Sequence, residues 1–559
     1  MMSFLTNVIS KVYERVVKSR NEEEVRKKSS QWQMGGVKKR STTDNLFILY
    51  GIIERNHYLK KPTYILYSDA EKCFDKLWLD DAVVELWIQG TNVRDAVMIK
   101  KMNEEAHITI QTPVGNTNEI IVGNIVRQGT VYGPNLCGAS MSRVNDVGKD
   151  IVTFYGPKLI IRATQFVDDI TGAGSVHAVN NTITNCNMLE ETKKMTFNNT
   201  NGKTEYSISH PTAKCEIVTS NVKKGRVERV KEHKALGMWI DERGTYMINI
   251  EKNEKRVPHM IETVRVIGST VNLGRLAIAT RMKLVNTVIM PSLLYNVEVV
   301  PKLTKEELKQ LEKMQKKVLS RLLEVPSSTP YFGILMETGM WTVEARIAYR
   351  KLMLFHNLMH SEDDRVTKNM LMVQEQEDRE GTWFSDVRKK LETYEIIKDV
   401  NKVLKSEWKK EVKEKISNSV EKQVRAGCAN GSKTRTVIDD AFELKEYLQE
   451  TNVTEASDIL KTRLHMTKLT CNYRQQQYSP CPLCGYPGKV TTEHYFRRCT
   501  GTNSLSKIWE TNEEDLKGTF KELRRAKNHL QKIEVMMEPY MAKYDVEIVE
   551  EDCTEDYMW

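Results

Sequence analysis

The chain has 559 residues and a mass of 64.6 kDa, more than one compact core holds, so several units of ordinary domain size are expected. Lys and Arg (84) exceed Asp and Glu (75) for a net charge of +9, which is compatible with a nucleic-acid partner without being evidence for one. No run of about 18 apolar residues is available to span a membrane. Charges at Lys11, Glu14 and Arg15 break up any secretory signal, so reduced, intracellular thiols are expected for the ten cysteines.

Apolar residues at helical spacing from Phe4 to Val17 predict a helix over residues 1–20. Gly35-Gly36 then breaks the chain, and Ser41 to Asp44 offer caps for a helix from about Asn45. A glycine loop with Lys38, Lys39 and Arg40 ahead of a helix start suits an anion such as a triphosphate, although charge runs are usually solvated surface. Residues 63–68 form a strand by β-propensity. Asp69 ends it, placed either to reach into a cleft or to cap a helix, and a helix is expected from about Leu79 to Gln89.

Residues 107–112 and 119–126 read as strands joined at Val114-Gly115-Asn116. Arg127-Gln128-Gly129 opens a polar loop before a helix from Asn135 to about Val147; Gln128 suits a hydrogen bond to a ligand, and Gly129 allows close backbone approach. The stretch Gln165 to Ile170 sets Asp168 and Asp169 between β-formers, predicting a hairpin over 159–173 with both carboxylates at its tip. Adjacent like charges converge usefully on Mg²⁺, which takes oxygen ligands, whereas an isolated Asp-Asp pair is more often a solvated turn. A helix from about Ala178 to Met195 follows, with Gly202-Lys203-Thr204 beyond it and strands expected near Glu216–Thr219 and Ala235–Ile240. Helices fill Lys252 to Leu358, and residues 361–470 are charged and mostly helical, which gives an α+β half followed by an α-helical half.

Near the end stands Cys481-x₂-Cys484-x₉-His494-x₄-Cys499. Three thiolates and one imidazole make a closed tetrahedral set for a structural Zn²⁺, and the alternative is a group of unliganded core cysteines. Lys489, Arg497 and Arg498 around it suit a nucleic-acid backbone.

The ordered set of Asp69 with Phe74, Arg127-Gln128-Gly129 with Pro134, Phe166-Val167-Asp168-Asp169, Gly202-Lys203-Thr204 and Leu236-Gly237 resembles the successive palm motifs of reverse transcriptases. The branch it is most similar to is the non-LTR retrotransposon (LINE-type) polymerase. Gln33 to Gly36 through Arg40 to Asn45 look like that branch's fingers block, Pro291 to Tyr295 and Pro326 to Gly339 look like its thumb and connection, and the Cys-Cys-His-Cys cluster looks like its C-terminal knuckle. The resemblance covers about residues 3–500. It departs at Met1-Met2, where the family usually has an Arg-Pro pair, so an N-terminally truncated chain starting inside a fingers element is expected. Lys39 also stands where the fingers block usually has glycine.

The resemblance implies a right-hand polymerase. Fingers and palm would occupy 1–240, a helical thumb and connection 241–360, a helical region 361–470, a small zinc knuckle 471–505 and a charged tail 506–559. It implies RNA-directed DNA synthesis from dNTPs on an RNA template and a DNA primer or target, in nucleus and cytoplasm, with two Mg²⁺ held by Asp69, Asp168 and Asp169. Phe74 would lie under the sugar and exclude a 2′-OH, or simply fill the core. Gln128 and Gly129, with Arg127 before them, would line the dNTP pocket, and Lys38 and Arg40 would meet the entering triphosphate. Lys203 would sit near the leaving pyrophosphate, or on the surface. No endonuclease is recognised, so nicking activity is expected from elsewhere. A second reading is a truncated or domesticated remnant that binds RNA or DNA without synthesis.

Overall fold

A computed structural model describes residues 8–545 apart from 105, 124–125, 128, 194, 199–202, 224, 271–275, 432–433, 435–436, 439, 470–479, 489–491, 493, 503–504, 506–515 and 517–518. The chain opens with two helices, α1 (Val8–Lys28) and α2 (Thr42–Tyr58). α2 starts where the caps predicted: Ser41 and Asp44 form a reciprocal capping box. Strand β1 (Thr63–Ser68) follows, then α3 (Leu79–Ile88), α4 (Val93–Asn103) and α5 (Gly133–Met141). The Asp-Asp hairpin is β2 (Thr164–Phe166) and β3 (Asp169–Gly174), backed by α6 (Val176–Lys193). Then come β4 (Glu205–Ser209), β5 (Glu228–Arg229) and the pair β6 (Glu232–Ala235) and β7 (Met238–Asp241).

The main sheet has the order β5-β4-β1-β3-β2, so β1 lies at its centre. All six β1 residues are buried, as a strand covered on both faces must be. Alternation sends Tyr64 and Leu66 into one core with α3, α5 and α6, and Ile65 and Tyr67 into a second core shared with α2 and the helices beyond residue 246. This is the mixed α+β architecture expected for the first half, followed by helices.

Three of the differences from expectation lie around the sheet. The strand predicted near Glu216–Thr219 does not form; the Tyr64 hydroxyl takes the Glu216 N–H (2.6 Å) and donates to the Glu216 carbonyl (3.1 Å), serving that backbone in place of a ladder. The strand predicted over Ala235–Ile240 is a hairpin, because Leu236 (φ 48°) and Gly237 (φ 86°) turn the chain between β6 and β7. Residues 159–161, assigned to the Asp-Asp hairpin, pair instead with 153–155 in a separate ribbon.

The helical half comprises α7 (Met247–Thr270), α8 (Lys305–Leu322), α9 (Tyr331–Thr338), α10 (Val343–Met359), α11 (Val366–Glu377), α12 (Trp383–Thr393), α13 (Lys405–Ala429) and α14 (Val453–Arg463), with shorter turns between. Residues 241–360 and 361–470 share one core, which also takes in α2. Glu337 is fully buried; it receives Arg463 (2.8–3.1 Å) and the Tyr447 hydroxyl (2.6 Å), a pair whose hydrogen bonds offset its desolvation. A third, small core joins the cysteine cluster to the last described helix, α15 (Phe520–Asp545). Among the described residues, no helix is long and apolar enough to cross a membrane.

Candidate active site

Asp69 leaves the end of β1, and Asp168 and Asp169 sit at the tip of the β2–β3 hairpin. Sheet register brings them together. Tyr67 faces Thr171 and Ser68 faces Ile170, so one further step sets Asp69 across from Asp169. Directly opposed residues of an antiparallel pair have Cα atoms about 4.5–5.5 Å apart. The carboxylates, 99 residues apart in sequence (168 − 69), therefore share one site.

Electrostatics agree. Burial, then the charges of Asp168 and Asp69, push the Asp169 carboxyl up to about 7. Burial and the Asp69 charge also raise Asp168. Two half-buried carboxyls with raised affinities for protons, set beside the Asp69 carboxylate, form a site that gains from a divalent cation. Lys203 supplies the one nearby positive charge among the described residues, its Nζ 3.3 Å from Asp69 Oδ2. The backbone of Asp69 is fixed from the other side, its carbonyl accepting the Asn198 N–H at 3.1 Å.

The hairpin tip is held by a residue outside the predicted set. Gln33 is buried, its Oε1 accepts the Val167 N–H (2.9 Å), and its Nε2 donates to the carbonyls of Val167 (3.2 Å) and Gly138 (3.1 Å). Val167 needs this support: its φ of 59° is a strained conformation for a β-branched residue, next to the carboxylates. Gly35 permits the approach, since a Cβ there would meet Val167 N at 2.4 Å. In sequence, Gln33 offered only its membership of the fingers block.

The other predicted residues divide. Phe74 is half-buried, packs on the palm core, and its ring lies 3.3 Å from where a Gly133 Cβ would be. Gly129 is exposed with φ 82°, while Gln128 lies outside the described residues. Arg127 does not point a free guanidinium into the site; it bonds the Met102 carbonyl and the Asn103 side chain at the end of α4, and burial lowers its pKa. Arg40 corrects the expectation of a triphosphate contact. Its guanidinium turns inward to the carbonyls of Ser30 (2.5 Å) and Gln33 (2.8 Å), and burial brings its pKa down to about 10. Lys38 is half exposed and paired with Glu22 at 2.5 Å.

At the other end, the metal-binding atoms of Cys481, Cys484, His494 and Cys499 all lie within 4.8 Å of one another. Cys481 Sγ to Cys499 Sγ is 3.9 Å and Cys484 Sγ to His494 Nε2 is 3.4 Å. Tetrahedral Zn–S and Zn–N bonds require edges of about 3.8 and 3.5 Å, so this set fits zinc. Burial, then Cys481, pushes the Cys499 thiol up to about 12, a cost that a bound cation reverses. Arg497 and Arg498 are exposed beside the cluster; Lys489 lies outside the described residues.

Residues 1–240 match the family model described as reverse transcriptase (RNA-dependent DNA polymerase). No curated protein matches the chain in sequence. Among solved structures, a Candida albicans telomerase in complex with a fragment of telomeric RNA is similar at 10% identity and a TM-score of 0.29, covering 71% of this chain. The chain spans 56% of that telomerase chain, and the likeness is too slight to carry an assignment.

Proposed function

We propose that this protein is the RNA-directed DNA polymerase of a non-LTR retrotransposon, extending a DNA primer 3′-OH on an RNA template with dNTPs, in nucleus and cytoplasm. The observation that carries the reading is the convergence of Asp69, Asp168 and Asp169 at adjoining strand ends, with Lys203 against Asp69. Asp69 and Asp168 are the principal ligands for Mg²⁺ and Asp169 the secondary one. Two bound Mg²⁺ would supply activation of the attacking oxygen and stabilisation of the leaving one. Phe74 lies under the sugar and rejects a 2′-OH by contact. Lys203 offsets charge on the departing pyrophosphate. The Cys₃His cluster holds a structural Zn²⁺ and does no chemistry.

The competing reading is a remnant that binds RNA or DNA without synthesis. Primer extension on poly(rA)·oligo(dT) with Mg²⁺ separates them. Wild type should incorporate dTTP, and Asp168→Ala should lose about 10³-fold or more, as expected when a principal electrostatic element is removed. Equal background incorporation by both, with RNA binding retained, would establish the remnant. Nicking of target DNA is assigned to another activity.

A further inference from the structure

We propose a second nucleic-acid subsite, remote from the carboxylates, that takes one unpaired nucleotide with its flanking phosphates. It is a cavity of about 320 Å³ between α10, α13 and the Met290–Leu293 turn. That volume is in the range of small-ligand pockets. Its lining pairs aromatic with cationic groups: Trp341 and Tyr349, Arg346 and Arg350, and Lys409 and Lys413 on α13. No acidic side chain lines it among the described residues.

The charges are unevenly satisfied, and the unevenness points to an anion. Arg350 is neutralised by Glu298 through two bonds of 2.8 and 2.9 Å. Among the described residues Arg346 has no carboxylate partner; its guanidinium bonds Asn286 Oδ1 (2.7 Å) and the Trp341 carbonyl (3.3 Å), and burial brings its pKa down to about 10. Lys409 and Lys413 are exposed, lie one helical turn apart and have no partner among the described residues, a like-charge pair that is mildly unfavourable alone. Lys405 continues the same stripe one turn earlier. A phosphate backbone along α13 would neutralise this stripe.

The aromatic side suits a base. The Trp341 and Tyr349 rings are half-buried, 5.8 Å apart and 73° to one another, leaving an L-shaped apolar corner. The Trp341 indole N–H and the Tyr349 hydroxyl have no protein partner among the described residues and are available to base edges. Stacked rings beside a cationic track are the usual means of holding single strands with little sequence preference. The subsite also joins the palm: the turn continues into Tyr295, whose hydroxyl donates to the Leu236 carbonyl at 3.1 Å.

The test uses the full chain and 12-mers of oligo(rU) and oligo(dT), each with one 4-thio base for photocrosslinking, and an abasic 12-mer as a phosphate-only probe. Crosslinks to the peptides holding Trp341 or Tyr349 are expected. Lys409→Gln with Lys413→Gln, on an exposed face that leaves the core intact, should cut those crosslinks about fivefold. It should also lower the salt slope of binding by about one to two units, while crosslinks elsewhere stay unchanged. Trp341→Leu should bring oligo(rU) affinity down to that of the abasic probe. A preference for rU over dT identifies the strand as RNA, the reverse as DNA, and parity as either; all three support the subsite. Crosslinks confined to other peptides and unmoved by the lysine changes would overturn it. Absence of crosslinks anywhere would overturn it together with the polymerase reading.

Discussion

The acidic cluster and the Cys₃His cluster are two ways to bring metal-ligating side chains together. The cysteine cluster is local: four ligands fall within 19 residues (481–499), and loop turns bring their atoms within 4.8 Å. The acidic site is distributed: Asp69 and Asp168 meet only because β1 and β3 are paired in one register, and the tip stays in place because Gln33, from a third segment, holds it. A Cys₃His set closed on zinc would keep no position for substrate, whereas carboxylates holding Mg²⁺ would leave positions open. A motif at fixed spacing therefore suffices for the first, and the second depends on the whole palm.

That contrast can be broken from either side. Cys481→Ser should have the largest effect on its own site, taking zinc from one per chain to near zero by elemental analysis, and loosening the core that joins the cluster to α15. Incorporation on a short primer–template should survive; if it falls with the zinc, the two sites are not separable. Gln33→Ala should act the other way. It leaves the half-buried N–H of Val167 without its partner, costing about 1 kcal/mol, and should lower dTTP incorporation about tenfold with zinc content unchanged.

The smallest effect is the pH dependence of Asp169. Its carboxyl holds a proton to about 7 in the folded chain, against an ordinary 3.8, so the neutral form is favoured by folding. That stability is fully present below pH 3.8 and is lost as pH rises through 7. Without added metal, Asp169→Asn should raise the melting temperature by about 1–2 °C at pH 8 and leave it unchanged at pH 4. Asp169 is half-buried, which keeps the effect small. In wild type, Mg²⁺ affinity should climb as pH rises toward 7, since the ion must displace the proton. Flat affinity between pH 6 and 8 would remove Asp169 from the ligand set.

Much of this was legible in the sequence because it is short-range. The apolar run of 63–68, the capping residues at 41–44 and the Asp-Asp turn each declare themselves within a few residues. What was missed depends on distant partners. β4 reads poorly as a strand because Glu205 opens it, yet Glu205 is buried and bonded to His233 Nδ1 at 2.5 Å, and His233 stacks on Tyr67. The turn between β6 and β7 uses Leu-Gly rather than Asn-Gly, so its left-handed backbone left no familiar mark. Arg40 looked like an anion contact because three cations adjoin in sequence; only the fold shows that its partners are carbonyls. Gln33 shows the same limit at the candidate site, since an uncharged side chain 134 residues from the tip it supports carries no chemical signature.

The most direct test of the central claim is anomalous diffraction from crystals of the chain with primer–template, dNTP and Mn²⁺ in place of Mg²⁺. Two peaks about 3.5–4 Å apart, bounded by Asp69, Asp168 and Asp169, are predicted. Density that leaves these three side chains without an ion, while Mn²⁺ occupies other sites, would contradict the account.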